Sequence, residues 1–256
     1  MTMSDQVTSK DVPRPPFESV DAGRFATPSL YRRWNEDLAA RYDVDRYLAE
    51  IGWPFRLLEK SRYAFLRRLI ARLGADRMLD AGCGSGVLLD GLPAGVAGTG
   101  MDFSATNLAR CRRRLPSLGL LQADLQRLPV RDARWPLIVC TEVIEHLPRP
   151  EQALREMARA LKPEGHLLIT IPNESLIRRA KGFLRRMPGG LGRFGLESGG
   201  PNREDHNLWH LHDFTAASFE ALLEPWFEIR HRYGLPLTML PVRWIYVVRK
   251  KESVDG

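Results

Sequence analysis

Two acids, Asp80 and Asp102, and three glycines, Gly82, Gly84 and Gly86, fall in this 256-residue chain at spacings that suit a ligand lying against bare main chain. The run Met78-Leu79-Asp80-Ala81-Gly82-Cys83-Gly84-Ser85-Gly86 ends an apolar stretch in a carboxylate and follows it with glycines at alternate positions. Glycine accepts positive φ and lets a ligand lie against bare main chain. A helix starting there would add unpaired N–H groups. The dinucleotide fingerprint puts its third glycine one place later, where Val87 stands, and this disfavours NAD. Asp80 is placed to meet a ligand ammonium or to cap the turn. Asp102, in Gly100-Met101-Asp102-Phe103, lies where an acid can accept two hydrogen bonds from a ribose diol.

A second constellation is Cys140-Thr141-Glu142-Val143-Ile144-Glu145-His146-Leu147. Glu142, Glu145 and His146 are spaced i, i+3 and i+4, so a helix beginning here would put them on one face. That face could position a substrate, supply a base or bind a divalent metal. The plainer alternative is a helix start with favourable acids and a packed histidine. Downstream, His206, His210 and His212 precede a helix start at Asp213-Phe214-Thr215. They either approach the same site or are solvated loop residues.

Alternating strands and helices must carry these groups, which is the mark of a parallel sheet covered on both faces. Apolar runs predict strands at Met78–Asp80, Ala97–Asp102, Leu118–Gln122, Leu137–Thr141 and His166–Ile171, with helices at Gly86–Leu92, Ala105–Leu115 and Glu151–Leu161. Leu161-Lys162-Pro163-Glu164-Gly165 reads as a turn. Phe227–Tyr233 and Trp244–Lys250 read as two further strands, with a loop containing Pro236 and Pro241 between them. Ahead of the sheet, residues 1–28 read as a mobile tail and 29–74 as a helical cover. Its last helix begins near Pro54 and stops at Gly74. The remaining unit is 75–252.

The bulk numbers fit one such unit. Hydrophobic residues make up 44% of the chain, enough for an ordinary core. The three cysteines, Cys83, Cys111 and Cys140, lack metal or disulfide spacing and suggest reduced thiols in a cytoplasmic setting. Most of the net charge of +7 sits in 174–193, where Arg178, Arg179, Lys181, Arg185, Arg186 and Arg193 face only Glu174. The insertion 174–207 starts as an amphipathic helix, with Leu176, Ile177, Ala180, Phe183, Leu184 and Met187 on one face, ended by Pro188-Gly189-Gly190. Such a helix suits a lid over a site, peripheral contact with the inner membrane face, or RNA.

Asp80-Ala81-Gly82-Cys83-Gly84-Ser85-Gly86 resembles the first motif of class I S-adenosylmethionine-dependent methyltransferases, and the resemblance runs from about Phe65 to Lys250. The narrower likeness is to the O-methyltransferases of ubiquinone biosynthesis. The resemblance implies a seven-stranded Rossmann-like α/β sheet with helices on both faces, an N-terminal helical cover and an insertion after the fifth strand. It implies S-adenosylmethionine as cofactor, held by Asp80, Gly82, Cys83, Gly84, Gly86, Asp102, Phe103, Asp124, Leu125, Cys140 and Thr141. In that scheme Asp124 accepts from the adenine amino group, the Leu125 amide faces a ring nitrogen, and carbonyls near Cys140 and Thr141 receive the ammonium. An aspartate at that place could instead cap a helix. His146 and Glu145 are the expected catalytic residues. The Glu-x-x-Glu-His pattern also occurs in small-RNA 2′-O-methyltransferases and can be a metal site, with Glu142, Glu145 and His146 as candidate ligands and Mg as a candidate ion. The expected reaction is O-methylation of a small hydroxylated metabolite. The alternatives are a metal-dependent RNA 2′-O-methyltransferase and a non-catalytic cofactor-binding scaffold.

Overall fold

The computed structural model describes residues 28–185, 210–237 and 240–251. The expectations for residues 1–27, the insertion beyond Arg185 and His206 lie outside the described residues.

Three helices lead: α1 (Pro28–Arg41), α2 (Val44–Glu50) and α3 (Trp53–Leu73). Pro54 stands in the first turn of α3, and Gly74 closes the helix at φ 65°, the left-handed C-cap that glycine favours. The chain then runs β1 (Arg77–Ala81), β2 (Ala97–Asp102), α4 (Ala105–Arg114), β3 (Gly119–Gln122), β4 (Trp135–Thr141), α5 (Pro150–Ala160), β5 (Leu161–Pro172), α6 (Glu174–Arg185), α7 (Ala216–Leu223), β6 (Phe227–Leu237) and β7 (Leu240–Lys250). The sheet order is β3-β2-β1-β4-β5-β7-β6. Strands β1 to β5 are parallel. β7 inserts antiparallel between β5 and β6. On each side of β1 the order reverses, so the C-terminal ends of β1, β2 and β4 open a crevice at a topological switch point.

The middle of β4 is a continuous apolar run because both faces of the sheet are covered there. Leu137, Ile138, Val139 and Cys140 of β4 have no exposed surface. One face packs under α5 and α7, through Leu154, Met157, Phe219 and Leu223. The other lies under α3 and α4, through Leu66, Ile70 and Cys111.

Three local expectations need correction. Gly86–Leu92 is a run of turns, not a helix. The cause sits on α3. The Arg67 guanidinium takes the carbonyls of Val87 (2.6 Å), Leu88 (3.3 Å) and Asp90, which helix amides would otherwise use. The turn at 161–165 is instead the start of β5, where Leu161 pairs with Trp135 across a register shift. Pro236 and Pro241, expected in a loop, belong to β6 and β7. Both prolines lie within paired strands, opposite each other.

Candidate active site

The end of β1 delivers Asp80 into the crevice. Its side chain is 2% exposed, and Oδ1 has no hydrogen-bond partner. Burial, with Asp102 and Cys111 nearby, pushes its carboxyl up to about 8. A buried acceptor without a donor is costly unless a ligand supplies one. Gly82 and Gly86 turn the chain at φ 91° and 81°. A Cβ at Gly82 would stand 2.3 Å from Val143 Cγ2, and one at Gly86 2.6 Å from Cys111 Sγ. Gly84, at φ 53°, faces open space. The loop therefore presses its outer glycines against the protein and shows bare main chain at its middle one.

Asp102 ends β2 beside this loop. Its Oδ2 accepts from the Gly84 amide at 2.8 Å and its Oδ1 from the Ser104 amide at 2.9 Å. Burial raises its carboxyl, and these hydrogen bonds oppose the rise. Asn107 Nδ2 also donates to Oδ1, at 3.4 Å, so the lone pair that remains for a ribose hydroxyl is on Oδ2. Phe103 packs against Tyr31 of α1, with centroids 5.2 Å apart. Asp124 caps the short turn Leu125–Arg127, accepting from the Gln126 amide at 2.8 Å. The capping alternative is thus what its carboxylate does, and Leu125 is buried beside it.

Cys140 and Thr141 bring β4 to the same crevice, with the Cys140 thiol wholly buried. The chain then turns sharply: Glu142 has φ 55°, rare for a non-glycine residue. Instead of a helix, Ile144–His146 forms a single 3-10 turn, and the expected common face does not form. Glu142 leaves the candidate metal set. Its Oε2 accepts from Arg243 Nε at 2.8 Å and its Oε1 from Thr170 Oγ1 at 2.8 Å. Arg243 also reaches Glu59 of α3 at 2.8 Å, and Glu59 pairs with Arg62 at 2.8 Å. Burial alone would raise the Glu142 carboxyl, but the charges of Arg243 and Arg62 and the two hydrogen bonds hold it down at about 2.

Glu145 has the opposite surroundings. It is 1% exposed and neither carboxylate oxygen has a hydrogen-bond partner. Burial and the Glu142 charge push it up to about 8, with His210 opposing. His146 Nε2 is 3.9 Å from Glu145 Oε1, and the His210 ring lies 4.9 Å from that of His146. Ligand-type atoms of Glu145, His146 and His210 all lie within 4.8 Å of one another. His210 thus takes the place expected of Glu142. His212 does not join them: its Nε2 meets the Leu147 carbonyl at 2.9 Å and its ring stacks on Phe214. The main chain fixes this segment too, because the Leu211 and His212 amides donate to the Glu145 carbonyl at 2.8 and 3.1 Å.

Four residues here carried no sequence signal. Tyr31 donates to the His146 carbonyl at 3.3 Å and roofs the crevice from α1, while burial raises its hydroxyl well above the ordinary tyrosine value. Glu36, also on α1, caps α4 through the Ser104 hydroxyl and the Ala105 amide. Arg243 and Glu174 are the others. On α6, Phe183 is exposed while Leu176 and Ile177 are half-buried, and Arg178 pairs with Asp213 at 2.5 Å. Among the described residues no helix is long and apolar enough to cross a membrane.

Comparison with known proteins gives a domain match and several likenesses. Residues 79–169 match the family described as a methyltransferase domain. A protein of Mycobacterium tuberculosis (strain ATCC 25618 / H37Rv) named a probable S-adenosylmethionine-dependent methyltransferase is 39% identical over 150 residues, 58% of this chain and 51% of that one. The ubiquinone biosynthesis O-methyltransferase of Bordetella avium (strain 197N) is 26% identical over 179 residues, 67% of this chain and 72% of that one. The N-methyltransferase NodS of Bradyrhizobium japonicum WM9, solved with S-adenosylhomocysteine, superposes with a TM-score of 0.57 at 20% identity, over 81% of this chain and 96% of that one. This last likeness concerns the fold. The chain spans about half the length of the first curated relatives it matches. Residues 79–169 thus match a methyltransferase domain, and the chain around them is similar to S-adenosylmethionine-dependent methyltransferases.

Proposed function

We propose that the chain transfers a methyl group from S-adenosylmethionine to an oxygen of a small hydroxylated metabolite. The observation that carries the oxygen acceptor is the Glu145 carboxylate, buried without a donor beside His146 and His210 at the end of β4. A hydroxyl must lose its proton as it attacks, and this cluster can receive one.

The cofactor, when bound, supplies an electrophilic methyl on its sulfonium. The residues fit it on three counts. The unpartnered Asp80 oxygen suits the α-ammonium, the open face of Gly84 admits the methionine end, and Asp102 retains acceptor capacity for the ribose. Asp124 and Leu125 would border the adenine. Carbonyls near Cys140 and Thr141 would complete the ammonium site. Tyr31 and Phe103 keep water from the crevice, and orientation of this kind contributes up to roughly 7–11 kcal/mol in favourable reactions.

Glu145, His146 and His210 also suit a divalent cation, and one carboxylate with two imidazoles fits an ion that accepts nitrogen donors, such as Co or Zn, better than the expected Mg, which prefers oxygen donors; both Glu145 oxygens are free of other hydrogen bonds. Such an ion would lower the pKa of an acceptor hydroxyl. Without it, His146 would hold the proton. In either case His146→Ala should lower kcat by about 10²–10⁴-fold and leave S-adenosylhomocysteine affinity unchanged. Sensitivity of the wild type to EDTA separates the two roles. Full turnover by His146→Ala would remove this cluster from the chemistry.

A further inference from the structure

Glu174 belongs to no motif in the sequence, yet it is buried against the cluster. Its Oε1 lies 2.9 Å from His210 Nδ1, and the residue is 7% exposed. An acid in the first turn of a helix is ordinary when it faces water and the positive helix end. Here it is turned inward, onto an imidazole.

Two sets of contacts fix the parts of this arrangement separately. The Leu211 and His212 amides bind the Glu145 carbonyl, and His212 Nε2 binds the Leu147 carbonyl. They set where the His210 main chain stands, and they leave its ring free to turn. Glu174 is rooted elsewhere. The Asn173 amide donates to the Val242 carbonyl of β7 at 2.8 Å, and Asn173 Oδ1 caps the Leu176 amide at 3.3 Å. A carboxylate on a fixed helix end thus meets a histidine on a fixed loop.

An imidazole that gives its Nδ1–H to a carboxylate keeps the lone pair on Nε2, and the ring cannot flip without breaking that bond. We propose that Glu174 is a positioning residue, which holds His210 as the Nδ1–H tautomer and turns its Nε2 toward Glu145 and His146. Its use in catalysis rests on the function proposed above, whereas the tautomer does not. Glu174 is also the first residue of α6, so the start of this helix and His210 share one contact.

The test uses the full chain carrying nitrogen-15 histidine, with Glu174→Ala and Glu174→Gln. In the neutral ring of the wild type, Nδ1 of His210 should carry the proton and Nε2 should be bare. Glu174→Ala should move the proton to Nε2, and Glu174→Gln, whose amide oxygen still accepts, should restore the wild-type pattern. Cobalt(II), added alone as the probe, should bind about 10–100-fold more weakly to Glu174→Ala than to the wild type, with most of the loss recovered in Glu174→Gln. S-adenosylhomocysteine affinity should stay unchanged in both variants, which shows that the crevice is folded. A Glu174→Ala protein that keeps the Nδ1–H tautomer overturns the proposal. If wild-type protein takes no cobalt, the metal role of the cluster fails, and the histidine spectra still decide the role of Glu174.

Discussion

Cofactor binding should release a proton, and Asp80 should be its source. Its carboxyl sits at about 8 in the ligand-free chain because burial and Asp102 disfavour the charge. At pH 7 it is then about nine-tenths protonated. An α-ammonium against Oδ1 supplies the missing donor and favours ionisation, so the carboxyl falls toward the ordinary aspartate range. Binding of S-adenosylhomocysteine should therefore release up to about one proton between about pH 6 and 7, and progressively less above about pH 8. Apparent affinity should tighten about tenfold, or 1.4 kcal/mol, per pH unit up to about pH 8 and then level. Folding stability runs the other way. The folded carboxyl lies above its unfolded value of about 4, so ligand-free stability falls as pH climbs from about 4 to about 8, and Asp80→Asn flattens that fall. Calorimetry in buffers of different ionisation enthalpy measures the released proton directly. Asp80→Asn should abolish the release and weaken binding at pH 8 by about 1.5–3 kcal/mol, the scale of a hydrogen bond to a charged group. The two proteins should converge toward pH 6, where the wild-type carboxyl must be deprotonated first. Equal proton release by wild type and Asp80→Asn would refute the assignment of Asp80 to the ammonium.

Gly82→Ala should lose cofactor binding, because its Cβ would lie 2.3 Å from Val143 Cγ2 at a φ of 91°; calorimetry with S-adenosylhomocysteine reads the loss, and a thermal melt reads the strain of about 1–2 kcal/mol from the left-handed backbone alone. Arg243→Met strands Glu59 and Glu142 without their shared cation and should destabilise the chain by about 3–5 kcal/mol in urea titration. The Glu142 carboxyl lies at about 2 when folded, below its ordinary value, so its contribution is present at neutral pH and is lost as pH falls through the interval down to about 2. Arg243→Met should flatten that acid limb, and an unchanged limb would remove the arginine from the account.

The glycine loop and the strands were legible because their signals are local. Alternating glycines after Asp80 need only their own φ values, and apolar runs such as Leu137–Cys140 need only burial on two faces. The groups that complete the site have no such spacing. Arg243 meets Glu142 from 101 residues away, and Glu174 reaches His210 across the whole insertion. Both pairings depend on β7 lying beside β5, which no short window reveals. Two local patterns were overruled by distant groups or backbone geometry. The helical run at Gly86–Leu92 loses its carbonyls to Arg67 on α3, and the i, i+3, i+4 set at Glu142 is broken by a positive φ at its first member. The three downstream histidines looked alike in sequence. The fold separates His210 from His212 by giving the latter ring a carbonyl and an aromatic neighbour.

The division of labour between Glu142 and Glu145 follows from that broken helix. On a continuous helix the two acids, three residues apart, would share a face, a solvent and a pKa. The turn at Glu142 instead points one carboxylate into Arg243 and Thr170, where it is held ionised at about 2, and leaves the other without a donor, at about 8. Neighbouring carboxyls driven apart in this way take opposite roles. Glu142 is a fixed negative charge. It raises Glu145 through space and so increases the pull of Glu145 on a proton or a cation. The Glu59–Arg62–Arg243 chain keeps that fixed charge neutralised on its own side, so the crevice side sees chiefly the unsatisfied Glu145. An acceptor hydroxyl entering between Glu145, His146 and His210 therefore meets a carboxyl of raised proton affinity, whose ionised fraction is about one-tenth at pH 7 and grows as pH rises through about 8.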